Sequence, residues 1–430
     1  ALPSRIKPRM LLRRAFATPG QRLGSRALSS WMQDVPMGPP DALFGLIEAY
    51  KQDPAPNKIS LGIGAYRDDK GEPFVLPSVR RAEQILLDKE MNHEYAGIMG
   101  LEDFLRESFA FAYSPESKPL VEGRVGGVQT ISGTGGLRIG GEFFNRFCGE
   151  GSAIYLPNPT WGNHIPIMKD AGLEVRKYTY YDPATCGLDF QGMLADIQAA
   201  PSQSVFLLHA CAHNPTGVDP TEDQWREISN AIKAKNHVAF FDCAYQGFAS
   251  GDAEKDAFAV RHFVEEGHLI MLCQSFSKNF GLYGQRTGAL SVVAESPEEM
   301  ERVVSQLKIL VRPMVSNPPV HGARLVSTIL QDPDLRSQWA VDCKGMADRI
   351  TAMRQLLADR LTALGSKRSW VHITDQIGMF CYSGLSPEEC QAMREEKHVY
   401  MPSDGRISMA GVTSGNVDYL AEAIHAVTSK

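Results

Sequence analysis

Lys278 sits in the stretch Cys273–Arg286, Cys-Gln-Ser-Phe-Ser-Lys-Asn-Phe-Gly-Leu-Tyr-Gly-Gln-Arg, behind the apolar run Leu269–Cys273 and ahead of Gly281, Gly284 and Arg286. The pattern predicts a buried strand that delivers one amine to a loop. Desolvation disfavours an ammonium, and the neutral amine it leaves is a nucleophile toward carbonyls. A Ser-x-x-Lys at a strand end also fits a solvated loop lysine, so the neighbouring strand ends must decide. Ser132-Gly133-Thr134-Gly135 offers hydroxyls and free N–H groups where a helix begins, an anion site suited to a phosphate. The rival, a dinucleotide fingerprint, fails because Arg138 stands where its third glycine belongs. Asn158-Pro159-Thr160-Trp161 presents an aromatic face, and Asp242 follows Phe240-Phe241 with Tyr245 three residues on. His209 and His213 have the spacing of a zinc pair, but the segment lacks a catalytic Glu and runs into Asn214-Pro215-Thr216-Gly217, so no metal is expected. Each of these residues has an ordinary structural use as a cap, a core aromatic or half of an ion pair. Together, a phosphate site, an aromatic plate, a carboxylate, a phenol, an amine and an arginine at successive strand ends suit a phosphorylated heteroaromatic aldehyde.

These residues need a scaffold that lines up strand ends. Strands are expected at 127–131, 153–156, 175–178, 205–209, 238–242, 269–273 and 289–293, with helical stretches between them. The clearest helix runs from Glu222 to Lys235, with Trp225, Ile228 and Ile232 on one face and Thr221 as its cap. This alternation predicts an α/β class built on a mainly parallel sheet, with ligands outside the carboxyl ends of the strands. Ile59–Tyr66 reads as a glycine-broken strand. Apolar positions from 339 to 364 predict a long core helix spanning two domains, and 378–382 and 406–410 predict strands of a second, α+β domain.

At 430 residues the chain has room for two or three domains. Its eight scattered cysteines form no Cys-x-x-Cys pair and read as free thiols of a reducing compartment. No apolar run approaches a membrane span. The first 33 residues carry seven basic and no acidic side chains, with interspersed Ser, Leu and Ala, the profile of an organellar transit peptide rather than of a nucleic-acid arm. Without them, 37 basic face 50 acidic residues, a formal charge of −13 that excludes nonspecific polyanion binding. Trp31–Pro40, with three prolines, should run extended and dock on something else; Asp41 can cap a helix carrying Leu43, Leu46, Ile47 and Tyr50.

Over residues 31–430 the chain resembles the pyridoxal-phosphate aminotransferases of fold type I and, within them, the aspartate aminotransferases, most closely their mitochondrial form. The motifs are Ser132-Gly-Thr-Gly135, Asn158-Pro-Thr-Trp-Gly-Asn-His164, His209-Ala-Cys-Ala-His-Asn-Pro-Thr-Gly217, Asp242-Cys-Ala-Tyr245, Ser275-Phe-Ser-Lys278 through Arg286, Arg312-Pro-Met-Val-Ser-Asn-Pro-Pro319 and Gly405-Arg-Ile-Ser408. The resemblance implies a large domain on a mainly parallel seven-stranded sheet plus a smaller α+β domain. It implies a transit peptide over 1–29, a dimer arm over 30–42, a small domain from 43–73 and 346–430, and a large cofactor domain over 74–345.

It further implies that Lys278 holds pyridoxal 5'-phosphate covalently and later carries the substrate proton. Asp242 pairs with the ring nitrogen, Asn214 and Tyr245 with the ring oxygen, and Trp161 stacks on the ring. Ser132, Gly133, Thr134, Ser275 and Arg286 hold the phosphate, joined by Tyr95 of a partner subunit. Arg406 takes the substrate α-carboxylate with help from Gly64 and Asn214, and Arg312 reaches across to the distal carboxylate. The implied activity is reversible ping-pong exchange of aspartate and 2-oxoglutarate for oxaloacetate and glutamate. The implied setting is a homodimer in the mitochondrial matrix, or else a plastid, that binds neither nucleic acid nor membrane. A broader enzyme for aromatic amino acids or kynurenine is the near alternative; a lipid-binding protein without catalysis is the distant one, opposed by intact Lys278, Asp242 and Arg286. Val315, Phe276-Ser277, Gln285 and Met32 depart from the family pattern without removing a catalytic group.

Overall fold

The computed structural model describes residues 32–39, 42–148 and 153–429. The expected transit peptide, Trp31 and the Asp41 cap lie outside them. Met32–Pro39 forms a unit of its own with residues flanking it; its described part has one turn and then no regular structure, with Met32, Val35 and Met37 exposed.

Within residues 42–430 the central feature is a seven-stranded sheet. In chain order its strands are β1 (Val125–Ile131), β2 (Ala153–Asn158), β3 (Glu174–Thr179), β4 (Val205–His209), β5 (Val238–Cys243), β6 (Met271–Ser275) and β7 (Thr287–Val293). Their spatial order is β1-β7-β6-β5-β4-β2-β3. β7 runs antiparallel to both its neighbours, and every other pairing is parallel. The central strands are buried on both faces, which is why β4 reads Val-Phe-Leu-Leu-His rather than alternating.

β6 lies two residues later than its apolar run suggests. Leu269 is 43% exposed, whereas polar Gln274 and Ser275 are buried in the strand. They are tolerated because Gln274 Nε2 donates to the Ser108 carbonyl at 3.0 Å and Ser275 Oγ meets Ser132 Oγ, also at 3.0 Å. The helix Ser132–Phe147 lies on β5 and β6 at a distance only glycine allows. A Cβ at Gly136 would come 2.6 Å from Cys273 Sγ, and one at Gly140 2.5 Å from the Phe240 ring. The Glu222–Ala234 helix has the expected cap, a full capping box between Thr221 and Gln224.

The long helix is Pro333–Ala363, with Trp339, Cys343, Met346, Ile350, Met353, Leu357 and Leu361 buried along one side. Ile59–Tyr66 is strand only at Ile59–Ser60, which pairs in parallel with Val399–Tyr400; Gly62 and Gly64 then carry the chain past other groups without a ladder. Phe380–Tyr382 pairs antiparallel with Arg406–Ser408. No disulfide joins the cysteines among the described residues, and six of the eight are buried.

Candidate active site

The parallel strands end at one cavity of about 280 Å³. Ser132, Gly133, Thr134, Trp161, Asn214, Asp242, Tyr245, Ser275, Lys278 and Arg286 all line it, together with Asn163, His209 and Cys211. The loops after β1, β2, β4, β5 and β6 therefore supply one site, as expected outside the carboxyl ends of an open sheet.

At one end is an anion cradle. Ser132 begins the Ser132–Phe147 helix at φ 57°, opposite Arg286 at φ 51°, and its N–H donates to the Arg286 carbonyl at 3.2 Å. Left-handed backbone at two non-glycine residues costs roughly 1 kcal/mol each and marks a functional turn. The strained pair aims the hydroxyls: Ser132 Oγ lies 3.0 Å from Ser275 Oγ and 2.9 Å from Ser277 Oγ, which Arg286 Nη1 approaches at 3.4 Å. These groups satisfy one another and can turn toward an anion, beside the unpaired N–H groups of the first helical turn. Gly133 keeps the cradle open, since a Cβ there would sit 3.2 Å from Ser275 Cβ.

Asp242 sits at the other end of the set. Burial works to raise its pKa, but the hydrogen bond from His164 Nε2 at 3.0 Å, reinforced by the electrostatic influence of Lys278, outweighs burial and holds the carboxyl below its usual range. Asp242 is therefore a carboxylate and His164 Nε2 the donor, while His164 Nδ1 faces the Thr160 hydroxyl at 2.8 Å. Behind it, burial and His164 push His209 down to about 3, so that ring is neutral and its Nδ1 accepts from the Asn214 N–H at 3.2 Å. Lys278 is held below the ordinary lysine range by desolvation and by Arg286, against the pull of Asp242. Its Nζ stands 5.7 Å from the centre of the Tyr245 ring. Burial raises the Tyr245 phenol, which therefore stays a donor at neutral pH.

Arg406 adjoins the cavity through Asn214, whose Oδ1 is 3.4 Å from Nη1; Nη2 donates to the Gly62 carbonyl at 3.1 Å, and the guanidinium lies 4.4 Å from the centre of the Phe380 ring. A Cβ at Gly64 would meet that same ring at 2.9 Å. Arg406 is buried and makes no ion pair among the described residues; its Nε has no partner, and burial lowers its pKa. A buried guanidinium in this condition is prepared for a carboxylate.

Tyr95 and Arg312 are not brought into the cavity. Tyr95 is 84% exposed, and Arg312 is exposed with Nη1 on Ser316 Oγ at 3.0 Å. The two belong to one patch, because Asn317 Nδ2 donates to the Ala96 carbonyl at 2.7 Å.

His164, Thr160 and Ser277 escaped sequence reasoning as functional residues. The His209/His213 spacing was a signal of a different kind: His213 stacks between Tyr180 and His209, at 4.0 and 4.2 Å between ring centres, and the pair forms a wall behind Asp242. A phosphorylated aromatic aldehyde with a basic ring nitrogen fits the set, with the cradle for its phosphate, Asp242 for the nitrogen, Trp161 for the ring face and Lys278 for the aldehyde.

Residues 56–424 match the family model for aminotransferase class I and II. The mitochondrial aspartate aminotransferase of Gallus gallus is 53% identical over 98% of this chain and 99% of its own length. A mitochondrial aspartate aminotransferase from Trypanosoma brucei superposes with a TM-score of 0.86 at 46% identity, covering 89% of this chain and 100% of that one. An aromatic-amino-acid aminotransferase from Burkholderia pseudomallei, covalently bound to pyridoxal phosphate, gives 0.91 at 39% identity over 93% and 100% of the two chains. With the geometry of the cavity and these likenesses together, the chain belongs to the class I and II aminotransferases.

Proposed function

We propose that this aminotransferase is an L-aspartate:2-oxoglutarate aminotransferase that uses pyridoxal 5'-phosphate. The observation that carries the substrate reading is Arg406, a buried cation with an open Nε and no acidic partner among the described residues, beside the cavity that holds Lys278. When bound, the cofactor supplies a protonated aromatic ring that draws off the electron pair left at the substrate α-carbon. The chain does the rest. Arg406 and Asn214 orient the substrate α-carboxylate. Lys278 Nζ, kept below its ordinary pKa, would take the α-proton and pass it to the carbon that carried the aldehyde, and the reverse transfer would complete the second half of the exchange. Asp242 holds negative charge at the ring nitrogen and is itself held by His164. Asn214 and Tyr245 would bond the ring oxygen, and the serines, Thr134 and Arg286, which line the same cavity, would hold the phosphate. The purified enzyme is expected to absorb in the visible and to bleach on addition of aspartate without keto acid; a colourless protein refutes the cofactor assignment.

A second arginine fork distinguishes a dicarboxylate from other amino acids. Arg312 is that fork, presented with Tyr95 to the site of a second copy in a homodimer. Support comes from their exposure, their shared patch and the absence of an ion pair at Arg312 among the described residues. Arg312→Ala is expected to lower kcat/KM for aspartate by about 100-fold or more, since truncating one partner of a buried charge pair costs several kcal/mol. Activity on phenylalanine should change far less, and equal losses would remove Arg312 from substrate reading. The same profile, extended to tyrosine and kynurenine, tests the broader-specificity alternative. A small domain from 43–73 and 346–430 is supported by the pairing of Ile59–Ser60 with Val399–Tyr400. The basic, acid-free first 33 residues support import into the mitochondrial matrix; cell fractionation separates this from a plastid.

A further inference from the structure

Beyond the Ile59–Ser60 pairing, residues 61–66 run between Arg406 and a second cavity. The Gly62 carbonyl accepts from Arg406, and Gly64 faces the Phe380 ring. Ile63 and Ala65, the alternate residues, line a different cavity of about 370 Å³. Lys51, Lys58, Arg67 and Lys70 also line it, and no Asp or Glu does. None of these four cations makes an ion pair among the described residues. The acids nearby have other partners and form no ion pair with these cations: Asp53 bonds His398 and Tyr400, Asp68 accepts from the backbone N–H groups of Lys70 and Glu72, and Asp69 bonds Ser414. Lys58 Nζ donates to the carbonyls of Tyr50 at 2.9 Å and Asp53 at 2.6 Å, which fixes the ammonium and leaves one proton for a ligand. In a chain whose body is acidic, converging cations with no counter-charge repel one another until an anion joins them.

We propose that this cavity binds a small polyanion of the di- or triphosphate class and that its occupation alters substrate affinity. Three of the four cations are lysines, compact point charges suited to tetrahedral oxyanions, where planar carboxylates favour arginine forks. The wall is braced and continuous with the active site. Arg349 donates to the carbonyls of Arg67 at 2.6 Å and Val412 at 2.9 Å and to Tyr66 Oη at 2.9 Å. The Tyr66 N–H donates to Tyr283 Oη at 2.9 Å, and the Tyr283 carbonyl accepts from Arg286 Nη1 at 3.1 Å. An anion that draws Arg67 inward therefore acts on a chain of bonds ending at the cradle, and on the backbone that carries Gly62 and Gly64.

The test is calorimetric titration of the holoenzyme with sodium tripolyphosphate, with orthophosphate and citrate as separate arms. Saturable binding of tripolyphosphate is expected, undiminished by saturating succinate, an unreactive dicarboxylate that fills the substrate site. Binding should weaken about 10-fold in Lys51→Ser/Lys70→Ser, whose altered side chains are exposed and outside the catalytic machinery. The KM for aspartate should shift by at least about 2-fold with tripolyphosphate in the native enzyme and not in the double variant. Displacement by succinate, unweakened binding in the variant or no saturable binding overturns the site. Equal affinity for citrate overturns the phosphate class, and an unmoved KM overturns the coupling. The binding arm does not depend on which amino acid is the substrate, so its failure is distinct from failure of the aspartate reading.

Discussion

Lys278→Ala lowers turnover of aspartate by at least about 10,000-fold, the combined scale of losing a positioned proton carrier and the covalent attachment point. The cavity holds no second group that can replace it. Arg286, the other cation in the lining, stays protonated and cannot accept a proton. His209 is neutral, but its Nδ1 accepts from the Asn214 N–H and its Nε2 faces the Thr160 hydroxyl at 3.4 Å. Tyr245 is held in its protonated form by burial. The variant should still fold, because Lys278 makes no ion pair among the described residues and its ammonium is disfavoured by desolvation. An unchanged melting temperature with turnover lost therefore identifies a chemical role. Rates within about 10-fold of the native enzyme would assign proton transfer to another residue.

The site was legible in the sequence to the extent that a buried parallel strand announces its own end. Residues 205–208 and 238–241 are unbroken apolar runs because both sheet faces are covered, so Asp242 and Tyr245 could be placed at a strand end from pattern alone, whereas Asn214 gained a role only through the family resemblance. The register of β6 was not, because its polar C-terminal half is buried by partners distant in sequence, Ser108 and Ser132. Nor was the His164–Asp242 bond, which joins residues 78 positions apart. His209 and His213 showed a real spacing whose use only tertiary packing decides. Arg354 is the clearest silent case: a charged residue beside the apolar positions of the long helix, it is buried, and its guanidinium holds the carbonyls of Ile373, Gly378 and Phe380. It thereby fixes the Phe380 segment against which Arg406 lies, at a distance along the chain that no local pattern spans.

Asp242→Asn is expected to cost about 1,000-fold in kcat/KM with little change in shape, the scale of removing one preorganised electrostatic partner from a dry site. The loss is one of charge rather than of packing. In the native enzyme the His164 bond and neighbouring positive charge overcome burial and keep Asp242 ionised, so the cavity holds a fixed negative charge for the ring nitrogen that we propose it receives. An amide keeps the volume and can still accept from His164 Nε2, but it cannot stabilise a protonated nitrogen. The same substitution has a second readout that a structural role would not move. Asp242 raises the Lys278 pKa against desolvation and Arg286. Removing its charge leaves only the lowering influences, so in the cofactor-free protein the Lys278 amine should become reactive toward an aldehyde at lower pH than in the native protein. His164→Leu, which leaves the carboxylate without its donor, should raise the Asp242 pKa and should depress activity less, because the charge survives at neutral pH. If Asp242→Asn retained activity within about 10-fold, or left the pH dependence of Lys278 labelling unchanged, the carboxylate would be a partner for His164 and not the electrostatic anchor of the reaction.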